Sequence, residues 1–88
     1  MKRYIVDFRK VNSKEDIHIE IKLALDFTGY YGKNLDALND LIGEMPKDSY
    51  FYFLINEEVF NNKQIDIENV FKVFDDNAVD YELVFSCN

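Results

Sequence analysis

An 88-residue chain with 48% hydrophobic and 16% aromatic side chains can fill one modest core but not two, so a single domain spanning residues 1–88 is expected. Seventeen acidic against ten basic residues give a formal net charge of −7, the wrong sign for gripping nucleic-acid phosphates; such a surface suits a basic protein partner, or serves solubility alone. The one cysteine, Cys87, can close no internal disulfide, and neither the "YIV" run after Arg3 nor any later stretch is long enough for a secretion signal or a membrane span, which argues for a cytoplasmic protein.

The first element, Arg3–Phe8 (RYIVDF), alternates Tyr4, Val6 and Phe8 on one face with Ile5 on the other and reads as a strand. The next segment carries two signals. Ile17, Ile19, Ile21, Leu23 and Leu25 alternate as in a strand, whereas Ser13 with Asp16 three positions on makes a helix-capping pattern. Ile17, Ile21, Ala24 and Leu25 would share one helical face, with Ile19 and Leu23 at its edge, and the helix is preferred. A second, short helix is expected from the N-cap Asn34 through Leu35 to about Ile42, with Gly43 as its stop and Pro46 beyond. Tyr50–Ile55 (YFYFLI) is an unbroken apolar run, as in a central strand covered on both faces. "NEEVFNN" fits one helical turn, and Ile65 to Asp76 reads as a longer helix with Ile67, Val70, Phe71 and Phe74 facing inward. Tyr81–Phe85 (YELVF) completes the set as a third strand, with Glu82 on its more exposed side. This order implies an α/β domain: three parallel strands joined by right-handed crossovers and packed with helices.

Chemistry is sparse. His18 and Cys87 are far apart, so no nucleophile–base pair can be argued, and His18 reads as a helix-surface or core-edge residue. Gly29 and Gly32 lack the lysine and strand-to-helix setting of a phosphate-binding loop, and one Cys with one His cannot complete a zinc site. Neither a cofactor nor a metal is expected. What remains is acidic: Asp36 and Asp40 are four apart, Glu44 continues the spacing, and a helix sets them opposite the core stripe of Leu35, Leu38 and Ile42. Like charges at that spacing cost about 0.2–0.5 kcal/mol. Asp40, late in the helix, also opposes the macrodipole by about 0.3–1 kcal/mol, and no basic residue is spaced to offset either. Three readings stay open: a solvated helix face, a weak divalent-cation or small carboxylate-enzyme site, and a surface awaiting a basic partner.

"YYGKNLDALNDLIG", Tyr30 to Gly43, resembles the helix-two signature of the barstar family of intracellular ribonuclease inhibitors, in register through Tyr-Tyr-Gly, Asn-Leu-Asp-Ala-Leu and the second Asp, with Val73-Phe74 as a further anchor. The resemblance implies a barstar-like fold, its three-stranded parallel sheet in the order 1-2-3 with packed helices, and a non-enzymatic inhibitor, monomeric when free. Such a protein would bind a basic microbial ribonuclease one to one and fill its phosphate site with carboxylates. Residue by residue, it implies Asp40 as the central phosphate mimic and Asp36 paired with a nearby arginine. Tyr30 would stack on the partner's histidine, Asp76 would offer a rim carboxylate from the last helix, and Gly32 and Asn34 would shape the loop. Tyr31 is as readily a core residue. The chain departs from the family at Asn39 and Glu44, where tryptophans are usual, and at Thr28-Gly29, which replace a proline-containing entry to the tyrosines. Those departures leave room for a different basic toxin or regulatory protein as the target of the same fold.

Overall fold

The computed structural model describes residues 2–26 and 31–86. Its elements follow the chain as β1 (Lys2–Asp7), α1 (Lys14–Ala24), α2 (Leu35–Gly43), β2 (Ser49–Ile55), α3 (Glu57–Phe60), α4 (Ile67–Asp76) and β3 (Asp80–Phe85). The strands form one parallel sheet in the order β1-β2-β3, the arrangement the family resemblance implies. Tyr4 pairs with Phe51 and Val6 with Phe53 on one side, and Phe51 with Tyr81 and Phe53 with Leu83 on the other.

The segment with two signals is helical. Ser13 Oγ accepts from the Asp16 N–H at 3.2 Å, and Asp16 Oδ2 accepts in turn from the Asn12 N–H at 2.9 Å, one residue upstream of the usual reciprocal bond. Leu23, placed by sequence at the edge of the apolar face, is 67% exposed.

Phe51, Phe53 and Ile55 of β2 are wholly buried, whereas the alternating Tyr50, Tyr52 and Leu54 are only half-buried and Ile5 of β1 is 64% exposed. The expectation of a strand covered on both faces is therefore corrected: the helices cover one face and the other is open. Two successive right-handed crossovers that step the same way across a sheet place all their helices on the same side. On the covered side α1 contributes Ile17 and Ile21, α2 Leu38 and Ile42, and α4 Ile67, Val70, Phe71 and Phe74, in one apolar cluster with Val6 and Phe8. Phe74 stands edge-on to Phe51 and Phe53, with ring centroids 4.8 and 5.1 Å away. Each such fully buried ring contributes about 1.5–3 kcal/mol through removal from water.

The strands differ from expectation by a single residue at their ends, and two helix boundaries differ for a visible reason. Ile65 lies outside α4 because its N–H and that of Asp66 turn back onto the Asn62 carbonyl, and Asp66 takes φ 57° as the residue preceding the helix. Gly43 is the last helical residue rather than a left-handed stop, since Glu44 caps α2 with φ −90°.

Candidate functional site

The entry to α2 is built from local hydrogen bonds. Asn34 is extended (φ −143°, ψ 172°); its Oδ1 accepts from the Ala37 N–H at 2.8 Å and its Nδ2 donates to the Gly32 carbonyl at 3.3 Å. One side chain thus caps the helix and ties the preceding loop to it. Just before the cap, Lys33 takes the left-handed region at φ 55°, and Gly32 does not.

Beneath the loop, Tyr31 is buried, and its hydroxyl is hydrogen-bonded to Nδ1 of His18 from α1. The two rings meet edge to face at 5.5 Å. His18 is 4% exposed, so its placement on a helix surface or core edge is corrected. Burial lowers the His18 pKa and raises that of the Tyr31 hydroxyl, because both charged forms lose hydration there. The pair is therefore a neutral buttress that anchors the loop to α1.

In α2, Leu38 and Ile42 are wholly buried, while Leu35, expected in the same stripe, is 39% exposed at its margin. Asp36, Asn39, Asp40 and Glu44 are exposed. Asp40 and Glu44 flank an open depression of about 440 Å³ that Tyr31, Gly32, Asn34, Ala37 and Leu41 also line. Asp36 does not line it; at 3.6 residues per turn it falls on the crest of the helix, beside Asp40. Asn39 points away from the depression toward α4, where its Oδ1 accepts from Asn77 Nδ2 at 2.8 Å. Asp76 is exposed in the last turn of α4. Tyr30 lies outside the described residues. The structure therefore brings Asp40 and Glu44 together at one depression, sets Asp36 above it, and assigns Asn39 to a contact between helices.

Among the described residues, no ion pair joins Asp36, Asp40 or Glu44 to a cation, and the last turn of α2 has no basic residue. No group of three His, Cys, Asp or Glu side chains is gathered as for a metal ion among those residues. No helix among them is long and apolar enough to cross a membrane. What the site offers chemically is a concave, partly apolar floor with exposed carboxylates at its edge, suited to a cationic group whose flat face can rest on the loop. Ala37 and Leu41 went unnoticed as parts of this floor. Their spacing of four, on the flank between the core stripe and the acidic face, is the sequence signal that marks them.

Comparison with known proteins bears on this geometry. The family model described as "Barstar (barnase inhibitor)" matches residues 1–87. A curated relative, "Putative ribonuclease inhibitor YrdF" of Bacillus subtilis (strain 168), is 45% identical over 42 residues, which make up 48% of this chain and 46% of the relative. That match thus spans about half of each chain.

Proposed function

The chain belongs to the barstar family, and from that premise we propose that it is a stoichiometric, non-enzymatic ribonuclease inhibitor acting in the cytoplasm. Its target is a basic, barnase-type microbial ribonuclease, bound one to one by the free monomer. The carboxylates of α2 take the place of substrate phosphate in the nuclease's active site, with Asp40 at the centre and Asp36 beside it. Tyr30, Asn39, Glu44 and Asp76 complete the contact surface around them.

The observation that carries this reading is the exposed acidic face of α2. Asp40 and Glu44 edge an open depression, and no cation pairs with them among the described residues. An active site that binds phosphate is cationic, and its arginines form their strongest, bidentate hydrogen bonds with carboxylates or phosphates. The net charge of −7 adds long-range attraction toward a basic enzyme and speeds encounter at low salt. Asn39 supports a narrower point. Because a polar side chain tied to α4 stands where the family usually places tryptophan, this chain meets a nuclease whose surface there needs less apolar contact, or another basic toxin with the same cationic centre.

Titration of RNA cleavage tests the proposal. Increasing amounts of the purified protein, added to barnase-type ribonucleases, should abolish cleavage at one equivalent. Asp40→Ala should weaken inhibition by at least about ten-fold, the equivalent of one lost charge-assisted hydrogen bond of about 1.5–3 kcal/mol; Asp36→Ala should weaken it less. Failure of saturating wild-type protein to inhibit any of them, or undiminished inhibition by both variants, would sink the reading.

A further inference from the structure

We propose that Asn77 is a positioning residue: through Asn39 and Gly43 it fixes the acidic face of α2 against the acidic last turn of α4, so that carboxylates from two helices meet a cationic partner as one preformed surface. This rests on the inhibitor reading above.

The C-terminal ends of α2 and α4 lie side by side, and both are electrostatically unfavourable. Asp40 lies late in α2, Glu44 caps it, α4 closes on Asp75 and Asp76, and all four side chains are exposed. Neither last turn carries a basic residue. A helix C-terminus already bears partial negative charge, so the two ends repel each other and their own carboxylates. Asn77 is the uncharged link between them. Its Nδ2 donates to Asn39 Oδ1 at 2.8 Å and to the Val73 carbonyl at 2.8 Å. Two acceptors facing one amide nitrogen fix which way the amide is turned. Oδ1 is then directed at Gly43, where an added Cβ would lie only 3.2 Å from it. Glycine at this helical position, where φ is not positive, thus accommodates the approach of Asn77. Lys47 Nζ, donating to the Asn77 carbonyl at 3.2 Å, sets one cation against the end of α4 and offsets part of the repulsion between the two ends.

The link joins the residues whose relative placement matters. Asn39 sits between Asp36 and Asp40 on α2, and Asn77 directly follows Asp76. Without the link the two acidic elements would have to be ordered on each binding event, which weakens a complex without altering its contacts. Asn→Ala removes no charge, so long-range steering is untouched and the loss falls on dissociation.

Stopped-flow association and dissociation of the full chain with a barnase-type ribonuclease provide the test. Asn77→Ala should raise koff about three- to ten-fold, the equivalent of one net hydrogen bond, with kon and its salt dependence unchanged. Added to Asn39→Ala, which removes the same bond from the α2 side, it should raise koff no further. In a chain carrying Asp75→Asn and Asp76→Asn, Asn77→Ala should have no further effect, because the last turn of α4 then presents no carboxylate to be held; a general loosening of the fold would persist in that background. Unchanged koff in Asn77→Ala, or an equal rise in koff when Asn77→Ala is added to the Asp75→Asn, Asp76→Asn chain, overturns the inference. If Asp40→Ala neither slows association nor raises koff, the binding-face reading has failed and the positioning role falls with it. If Asp40→Ala weakens the complex and Asn77→Ala does not, only the positioning role fails.

Discussion

Replacing Ala78 by glycine should stabilise the fold. Ala78 follows the α4 C-cap Asn77 at φ 56°, in the left-handed region, where a Cβ costs about 1–2 kcal/mol. Hydrogen bonding holds it there: the Ala78 N–H donates to the Asp75 carbonyl at 3.1 Å, and the Val79 N–H to the Phe74 carbonyl at 3.1 Å. These paired bonds are the ones that close a helix through a left-handed residue, and the accompanying apolar pair, Val79 and Phe74, is buried. The Ala78 side chain is exposed, so glycine removes the steric conflict without opening a cavity. Against that gain stands the greater freedom of glycine in the unfolded chain, about 0.4–1 kcal/mol. The net is a stabilisation of about 0.5–1 kcal/mol. At about 2.1 cal/mol/K of unfolding entropy per residue, an 88-residue chain has about 185 cal/mol/K, so Tm should rise by about 3–5 °C. Scanning calorimetry, backed by urea unfolding, measures this directly. An unchanged or lower Tm would refute the balance drawn here between backbone conflict and chain entropy.

Tyr31→Phe leaves the buried His18 Nδ1 without its partner and should cost about 1–3 kcal/mol in urea unfolding. Because burial lowers the folded-state pKa of His18, the unfolded chain binds the proton more readily. That contribution to stability is fully present above the unfolded value near 6.5 and is lost as pH falls through the folded one, with a slope of at most about 1.4 kcal/mol per pH unit. Urea midpoints between pH 7.5 and 5 check the direction, and His18→Gln should flatten the dependence. Asp40→Asn should separate stability from function: relief of like-charge and dipole repulsion should raise stability by a few tenths of a kcal/mol while inhibition weakens. Paired melts and inhibition titrations of that variant give both signs.

Helix positions were legible because their signals are local. Ser13, Asn34 and the apolar spacing of Ile67, Val70, Phe71 and Phe74 act within a few residues, and each does in the structure what its spacing implies. The open face of the sheet was not legible, since an unbroken run such as YFYFLI is equally compatible with one or two covered faces. Crossover geometry decides that, and Tyr52 and Leu54 are simply apolar residues on the uncovered side. The burial of His18 depends on Tyr31, 13 residues away, and the turning of Asn39 toward α4 depends on Asn77, 38 residues away. Neither partnership leaves a periodic trace. The acidic face of α2 was visible as a pattern, but the depression beside it required Tyr31 and Gly32 to be folded against Ala37 and Leu41.

The central claim is that carboxylates of α2 occupy the place of substrate phosphate, and competition at the nuclease tests it most directly. Affinity of the wild-type chain for a barnase-type ribonuclease would be measured by calorimetry at rising concentrations of a nucleoside 3′-monophosphate. The apparent Kd should climb linearly with nucleotide concentration, and this competition should shrink for Asp40→Ala, whose residual binding depends less on the phosphate site. An apparent Kd indifferent to the nucleotide would contradict the claim and place the contact away from the active site.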